Sequence, residues 1–178
     1  MLSLFKKYKS VVRFVVLFLS TYIVLSMGYL FYLSLTDDLQ KPDFITNLVA
    51  KQSSLVLAQV GYDAQVIAHE SKPQMKLIVD NTHIANIIEG CNGVSVMVLF
   101  VAFIIAFAEK FKKTALYILA GTALIYAVNI IRIGILAIAL QKYPAYEGML
   151  HGVVFPGVIY GMVFLLWMFW VRSLKPKN

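Results

Sequence analysis

A chain of 178 residues that is 60% hydrophobic and only 14% charged, with mean hydropathy +0.78, is far more apolar than an ordinary soluble domain. The excess comes in blocks, which argues against a soluble globular protein and for an integral membrane one. The net charge of +7 does not call for a nucleic-acid partner, because the basic residues cluster beside the apolar blocks, and the single cysteine leaves no internal disulfide to form.

Four stretches are long and apolar enough to cross a bilayer core of about 30 Å, which takes roughly 20 helical residues, the second being the shortest. The first covers about residues 11–35. Its basic start fits a signal peptide, but the apolar run is longer than the usual h-region of about 7–15 residues, so an uncleaved signal-anchor is expected. The region at 36–90 is too long for a simple connector. "ITNLVAKQSSLVLAQVGYD" places Ile45, Leu48, Val49, Leu55 and Val56 at helical spacing, an amphipathic helix. "DAQVIAHE" and "QMKLIVDNTHIANIIEG" follow, with apolar clusters interrupted at Ser71-Lys72-Pro73 and at Asp80-Asn81. These read as two or three short strands of a small sheet. His69 and His83 fall here and read as surface or edge residues.

The second span starts just after Cys91 and ends near Ala108, the third covers about residues 114–140, and the fourth about 150–171. Gly152, Pro156, Gly157 and Gly161 in the fourth suggest close helix contact and a bend. Basic residues near span ends set orientation. Lys6, Lys7, Lys9 and Arg13 precede span one, Lys110, Lys112 and Lys113 separate spans two and three, and Arg172, Lys175 and Lys177 follow span four. All three clusters share one side if there are four spans. Both termini are then cytoplasmic, and the 36–90 segment lies outside. The expected fold is therefore an all-α membrane bundle of about four transmembrane helices. A small α+β extracytoplasmic insertion separates spans one and two. In domain terms, 1–35 is the cytoplasmic N-terminus with span one, 36–90 the extracytoplasmic segment, and 91–178 a three-span core with a basic cytoplasmic tail.

Three residues are costly or reactive where they stand. Arg132 lies inside span three, where an arginine costs about 2.5–3.5 kcal/mol on insertion scales and marks a functional group by default. Asn129 is on the same helical face, able to hydrogen-bond across helices or to orient the guanidinium. Cys91 opens span two and His151 opens span four, both at the outer side. A thiol beside an imidazole is the pattern of an activated nucleophile, since the thiolate is the attacking form. An arginine supplies positive charge for a tetrahedral oxyanion. A metal site built from Cys91 with His83, His151 or Glu89 is the competing chemistry. No CxxC, HxxxH or HExxH occurs, and Arg132 would repel a cation, so neither metal nor cofactor is expected.

The motifs "EGCNG", "NIIRI" and "LHG", in that order, resemble the exosortase/archaeosortase family of membrane cysteine transpeptidases. The resemblance covers roughly residues 88–171, and the small size is similar to the compact four-span, XrtF-like branch. It implies Cys91 as nucleophile, Arg132 as the group that positions or stabilises the acyl intermediate, and His151 as acid/base, with Asn129, Glu89 and Asn92 in possible supporting roles. It further implies membrane-tailed partner proteins bearing a C-terminal sorting signal, made of a short motif, a hydrophobic helix and a basic tail. The expected setting is the plasma (inner) membrane, multi-pass, with the site at the extracytoplasmic face. Two other readings stay open. One is a non-catalytic envelope scaffold in which Cys91 packs and Arg132 pairs with Glu89. The other is a small-molecule transporter.

Overall fold

The computed structural model describes residues 8–37 and 42–174. Lys6, Lys7, Lys175 and Lys177, on which the expected orientation partly rests, lie outside the described residues. The described elements run α1 (Lys9–Asp37), α2 (Phe44–Gln59), β1 (Ala64–Ala68), β2 (Met75–Val79), β3 (Thr82–Ile87), α3 (Val94–Ala106), α4 (Phe111–Lys142) and α5 (Phe155–Ser173). Three helical stretches, Lys9–Leu35, Phe111–Lys142 and Pro144–Ser173, are long and apolar enough to cross a membrane.

The expected second span is the exception. α3 has 13 residues, about 20 Å at 1.5 Å per residue, against a core of about 30 Å. After the 3₁₀ turn Glu89–Cys91 its start is delayed to Val94 by Gly93 in the left-handed region, and the backbone leaves the helix at Phe107.

The helices assemble around rings. Phe14 of α1 lies 4.4 Å from Phe107, at the end of α3, between ring centroids. Phe103 of α3 stacks on Trp167 of α5 at 4.3 Å. Phe100, Ile104, Ile125, Val163 and Trp170 form the buried core of this bundle. α3 and α4 approach closely at Gly121, where a Cβ would sit 2.2 Å from Cζ of Phe100. No residue in the apolar window of α1 is buried, the exposure suited to a helix that faces lipid on most sides.

A second core belongs to the insertion. Asp43 caps α2 by accepting from the backbone N–H of Ile45 (2.9 Å) and Thr46 (3.1 Å). The buried stripe of α2 is Thr46, Val49, Ala50, Ser53, Ser54 and Leu57, so the expected face is met in part: Val49 is buried and Ile45 and Val56 pack against the same core, while Leu48 and Leu55 face outward. Leu55 is 62% exposed. The two serines of the stripe are satisfied locally, Ser53 donating to the Val49 carbonyl and Ser54 to that of Lys51. Against this stripe pack Met75, Leu77 and Val79 of β2, with Ile87, Ile130, Ile133 and Ala137 completing the cluster. The insertion thus shares its core with α4.

The three strands form one antiparallel sheet in the order β1-β2-β3. β2 and β3 are joined by Asp80 (φ 49°) and Asn81 (φ 63°), the two positive-φ positions of a type I′ hairpin, which Asp and Asn tolerate. The turn is pinned twice through Asp80, which accepts from the Asp63 backbone at 3.1 Å and from Gln141 of α4 at 2.7 Å.

Candidate functional site

Cys91 closes the 3₁₀ turn Glu89–Cys91, its N–H bonded to the Ile88 carbonyl at 2.8 Å. It is a free, partly buried thiol. Its own carbonyl accepts from Asn129 Nδ2 at 2.8 Å and, at a long 3.5 Å, from Arg132 Nη2. Both α4 residues therefore bond the backbone of Cys91. Gly93 makes this possible. It adopts φ +82°, and a Cβ there would lie 3.2 Å from Cγ of Asn129. Both the backbone conformation and the close approach suit glycine.

Asn92 is fully buried and joins three elements. Its Nδ2 donates to the Tyr29 hydroxyl of α1 (2.7 Å) and to Thr46 Oγ1 of α2 (3.1 Å), while its Oδ1 accepts from Val94 N–H (2.9 Å) at the start of α3. Every hydrogen-bonding atom of its amide is used. Glu89 points elsewhere: it lines a separate cavity of about 310 Å³ with Tyr22, Ser26, Tyr29 and Ser95. Among the described residues Arg132 makes no ion pair with Glu89, the ion pairs being Lys76–Glu70 and Lys113–Glu109.

His151 lies in a five-residue π-helical segment, Leu150–Val154, leading into α5. The Phe155 N–H reaches back to the Leu150 carbonyl, a bond of the π type. Pro156 follows and has no N–H to return to the Gly152 carbonyl, and a wider turn is a local adjustment to that loss. Such segments recur at functional sites. The expected close contact through Gly152, Gly157 and Gly161 is not found: a Cβ on any of them would meet nothing within 4 Å. The close-contact glycines are Gly93 and Gly121, because the neighbours of α5 meet it through its rings.

Cys91, Arg132 and His151 line one cavity of about 390 Å³. Its walls are β3 and the apolar face of α4 at Ile133, Leu136 and Leu140. His151 is exposed, Arg132 half-buried, and Arg132 Nε is buried with no hydrogen-bond partner. Two further titratable residues line the cavity, His83 of β3 and Glu147. Glu147 is four residues before His151, a helical spacing visible in "EGMLH". His83 had no such local signal, since the sheet brings it there. Among the described residues no group of three or more His, Cys, Asp and Glu side chains converges to hold a metal.

The chain matches the family model described as transmembrane exosortase (Exosortase_EpsH) over residues 3–170. No curated protein and no solved structure matches it. The match takes in α1 and the insertion as well as the part carrying the three motifs. Together with three apolar helices of membrane length, it makes this a multi-pass membrane protein of a family whose general activity is of the cysteine transpeptidase type. The chain belongs to the transmembrane exosortase family.

Proposed function

We propose that this chain is an integral membrane cysteine protease/transpeptidase that cleaves C-terminal sorting signals of envelope-targeted proteins through a thioacyl intermediate. One observation carries the reading: a thiol, an imidazole and a guanidinium from three separate elements line the same cavity. The thiolate of Cys91 attacks the scissile carbonyl carbon, and the resulting oxyanion is stabilised by the positive charge of Arg132. Collapse breaks the C–N bond. The leaving amine takes its proton from the His151 imidazolium, and the acyl group stays on sulfur as a thioester. An acceptor amine, hydroxyl or water then attacks the thioester, gives its proton to His151, and the C–S bond breaks to restore the thiolate.

The same reading makes α3 the second of four compact spans, as in the XrtF-like branch. Its shortness is accommodated by local thinning of the bilayer. Lys110, Lys112, Lys113 and Arg172 then face the cytoplasm with both termini, and the cavity opens at the extracytoplasmic face of the inner membrane. A substrate helix lies beside the bundle with its basic tail on the cytoplasmic side, which brings its cleavage motif to Cys91.

The test is co-expression with candidate membrane-tailed proteins, followed by mass analysis of the new C-terminus. Cys91→Ala is expected to insert normally and process nothing. Full processing by that variant overturns the mechanism.

A further inference from the structure

β3 is an edge strand, and it runs along the wall of the cavity that holds Cys91. His83, Ile84, Ala85, Asn86 and Ile87 line that cavity in unbroken succession, and Ile88 extends the line to the turn ending at Cys91. Side chains of a strand alternate between its two faces, so a face would contribute only every second residue. A bulge at Ile84 breaks that alternation locally, but the run continues past it through Ala85, Asn86 and Ile87, so the strand borders the cavity with its edge, backbone included. The opposite edge of β3 is paired with β2 from Thr82 to Ile87, apart from the bulged Ile84. Among the described residues, no backbone hydrogen bond joins β3 to any element other than β2. The cavity therefore carries a row of backbone donors and acceptors with no partner among the described residues, facing the apolar wall of α4.

This edge is also held still. The hairpin turn before it is tied to α4 through Asp80 and Gln141, and its last residue, Ile87, is buried in the core shared with α4. A fixed, unpaired edge ending beside a thiol is suited to an extended polypeptide.

We propose that the free edge of β3 receives the substrate segment on the acyl side of the scissile bond as a fourth strand. This rests on the reading of Cys91 as the nucleophile. Main-chain pairing holds the segment and delivers its last carbonyl to Cys91. Alternate side chains enter the apolar wall at Ile133, Leu136 and Leu140, and these select the sequence. At about 3.3 Å per residue the edge from Thr82 to Ile87 is about 20 Å long, enough for five or six substrate residues.

The experiment uses the full chain in lipid nanodiscs and a pool of N-acetyl octapeptide chloromethyl ketones of randomised sequence. These alkylate a thiolate with loss of chloride and occupy the acyl side only. The fastest-reacting sequence is remade with a single backbone N-methyl group at each position in turn, and labelling of Cys91 is followed by intact mass. Pairing predicts that N-methylation slows labelling roughly tenfold at every second position and by less than about twofold at those between. Equal effects at all positions, or no sequence reacting faster than N-acetylglycine chloromethyl ketone, overturn strand addition while iodoacetamide still labels Cys91. Labelling that is suppressed in a dimer and restored on dilution assigns the edge to a second copy of the chain instead. Failure of both iodoacetamide and the peptide ketones to label Cys91 overturns the nucleophile assignment and this proposal with it.

Discussion

Asn129 donates a 2.8 Å hydrogen bond to the carbonyl of Cys91, so the backbone at the candidate nucleophile is held from α4 and not only by its own turn. Asn129 is 2% exposed, which leaves no room for solvent to replace its amide. Asn129→Ala is expected to destabilise by about 1–3 kcal/mol, the range for a buried carbonyl losing its donor. Processing per folded molecule should fall further, because Cys91 loses its position. Thermal unfolding in detergent beside a cleavage assay separates the two effects. Wild-type cleavage per folded molecule would make the bond structural only.

Gly93→Ala should be harmful for two separable reasons. The backbone sits at φ +82°, and the added methyl would lie 3.2 Å from Asn129 Cγ. A left-handed non-glycine costs on the order of 1–3 kcal/mol before any crowding. In a double-mutant cycle with Asn129→Ala the crowding disappears while the backbone strain stays. The double variant is expected to cost less than the sum of the singles. Strict additivity would place the whole effect in the backbone.

Deeper in the bundle, Gly121→Ala drives a methyl into the Phe100 ring, with Cζ at 2.2 Å from the new Cβ. Phe100 is fully buried, so the ring has little room to retreat. The expected loss is about 1–3 kcal/mol. Phe100→Leu in the same chain should restore part of it. Absence of rescue in the melting temperature would mean that α3 and α4 separate rather than repack.

These contacts separate what the residues disclose locally from what they do not. Hydropathy runs exposed α1, α4 and α5, and the Asp80-Asn81 pair marked the hairpin, because both signals are written within a few neighbouring positions. Cys91, Arg132 and His151 stood out since each is an uncommon residue at the edge or inside of an apolar run. The buried face of α2 was only partly legible: Val49, Ile45 and Val56 meet the core as expected, but Thr46, Ser53 and Ser54 also face inward because their hydroxyls find partners there, while Leu55 faces outward. The length of α3 was hidden too: Gly93 in the left-handed region delays its start, and the backbone leaves the helix at Phe107 within an apolar stretch. His83 joins the cavity only because a sheet folds back onto α4, a placement that no pattern along the strand contains. The role of Asn92 was not legible either: its Oδ1 meets Val94 N–H at the start of α3, but its bonds to Tyr29 and Thr46 are tertiary.

Sidedness has a direct reading, because Cys91 is the only thiol in the chain. A membrane-impermeant maleimide added to intact spheroplasts is expected to label it from outside. The same reagent added outside inverted vesicles, where the cytoplasmic face is exposed, should leave it unlabelled. Labelling only from the cytoplasmic face would reverse the proposed orientation and move the cavity to the other side.

Arg132→Lys tests whether the arginine acts by shape or by charge alone. The guanidinium spans from a buried, unpartnered Nε to an Nη2 that reaches 3.5 Å from the Cys91 carbonyl. A lysine ammonium keeps the charge but concentrates its donors at one point and cannot span both positions. The 3.5 Å contact is too long to contribute much to folding, so unfolding should change little. Thioester formation is another matter: a displaced donor no longer faces the oxyanion, and a loss of roughly tenfold or more is expected. Single-turnover capture of the acyl-enzyme by mass reads that step apart from its resolution by the acceptor. An unchanged acylation rate would show that positive charge suffices, and the planar fork would then have no part in the chemistry.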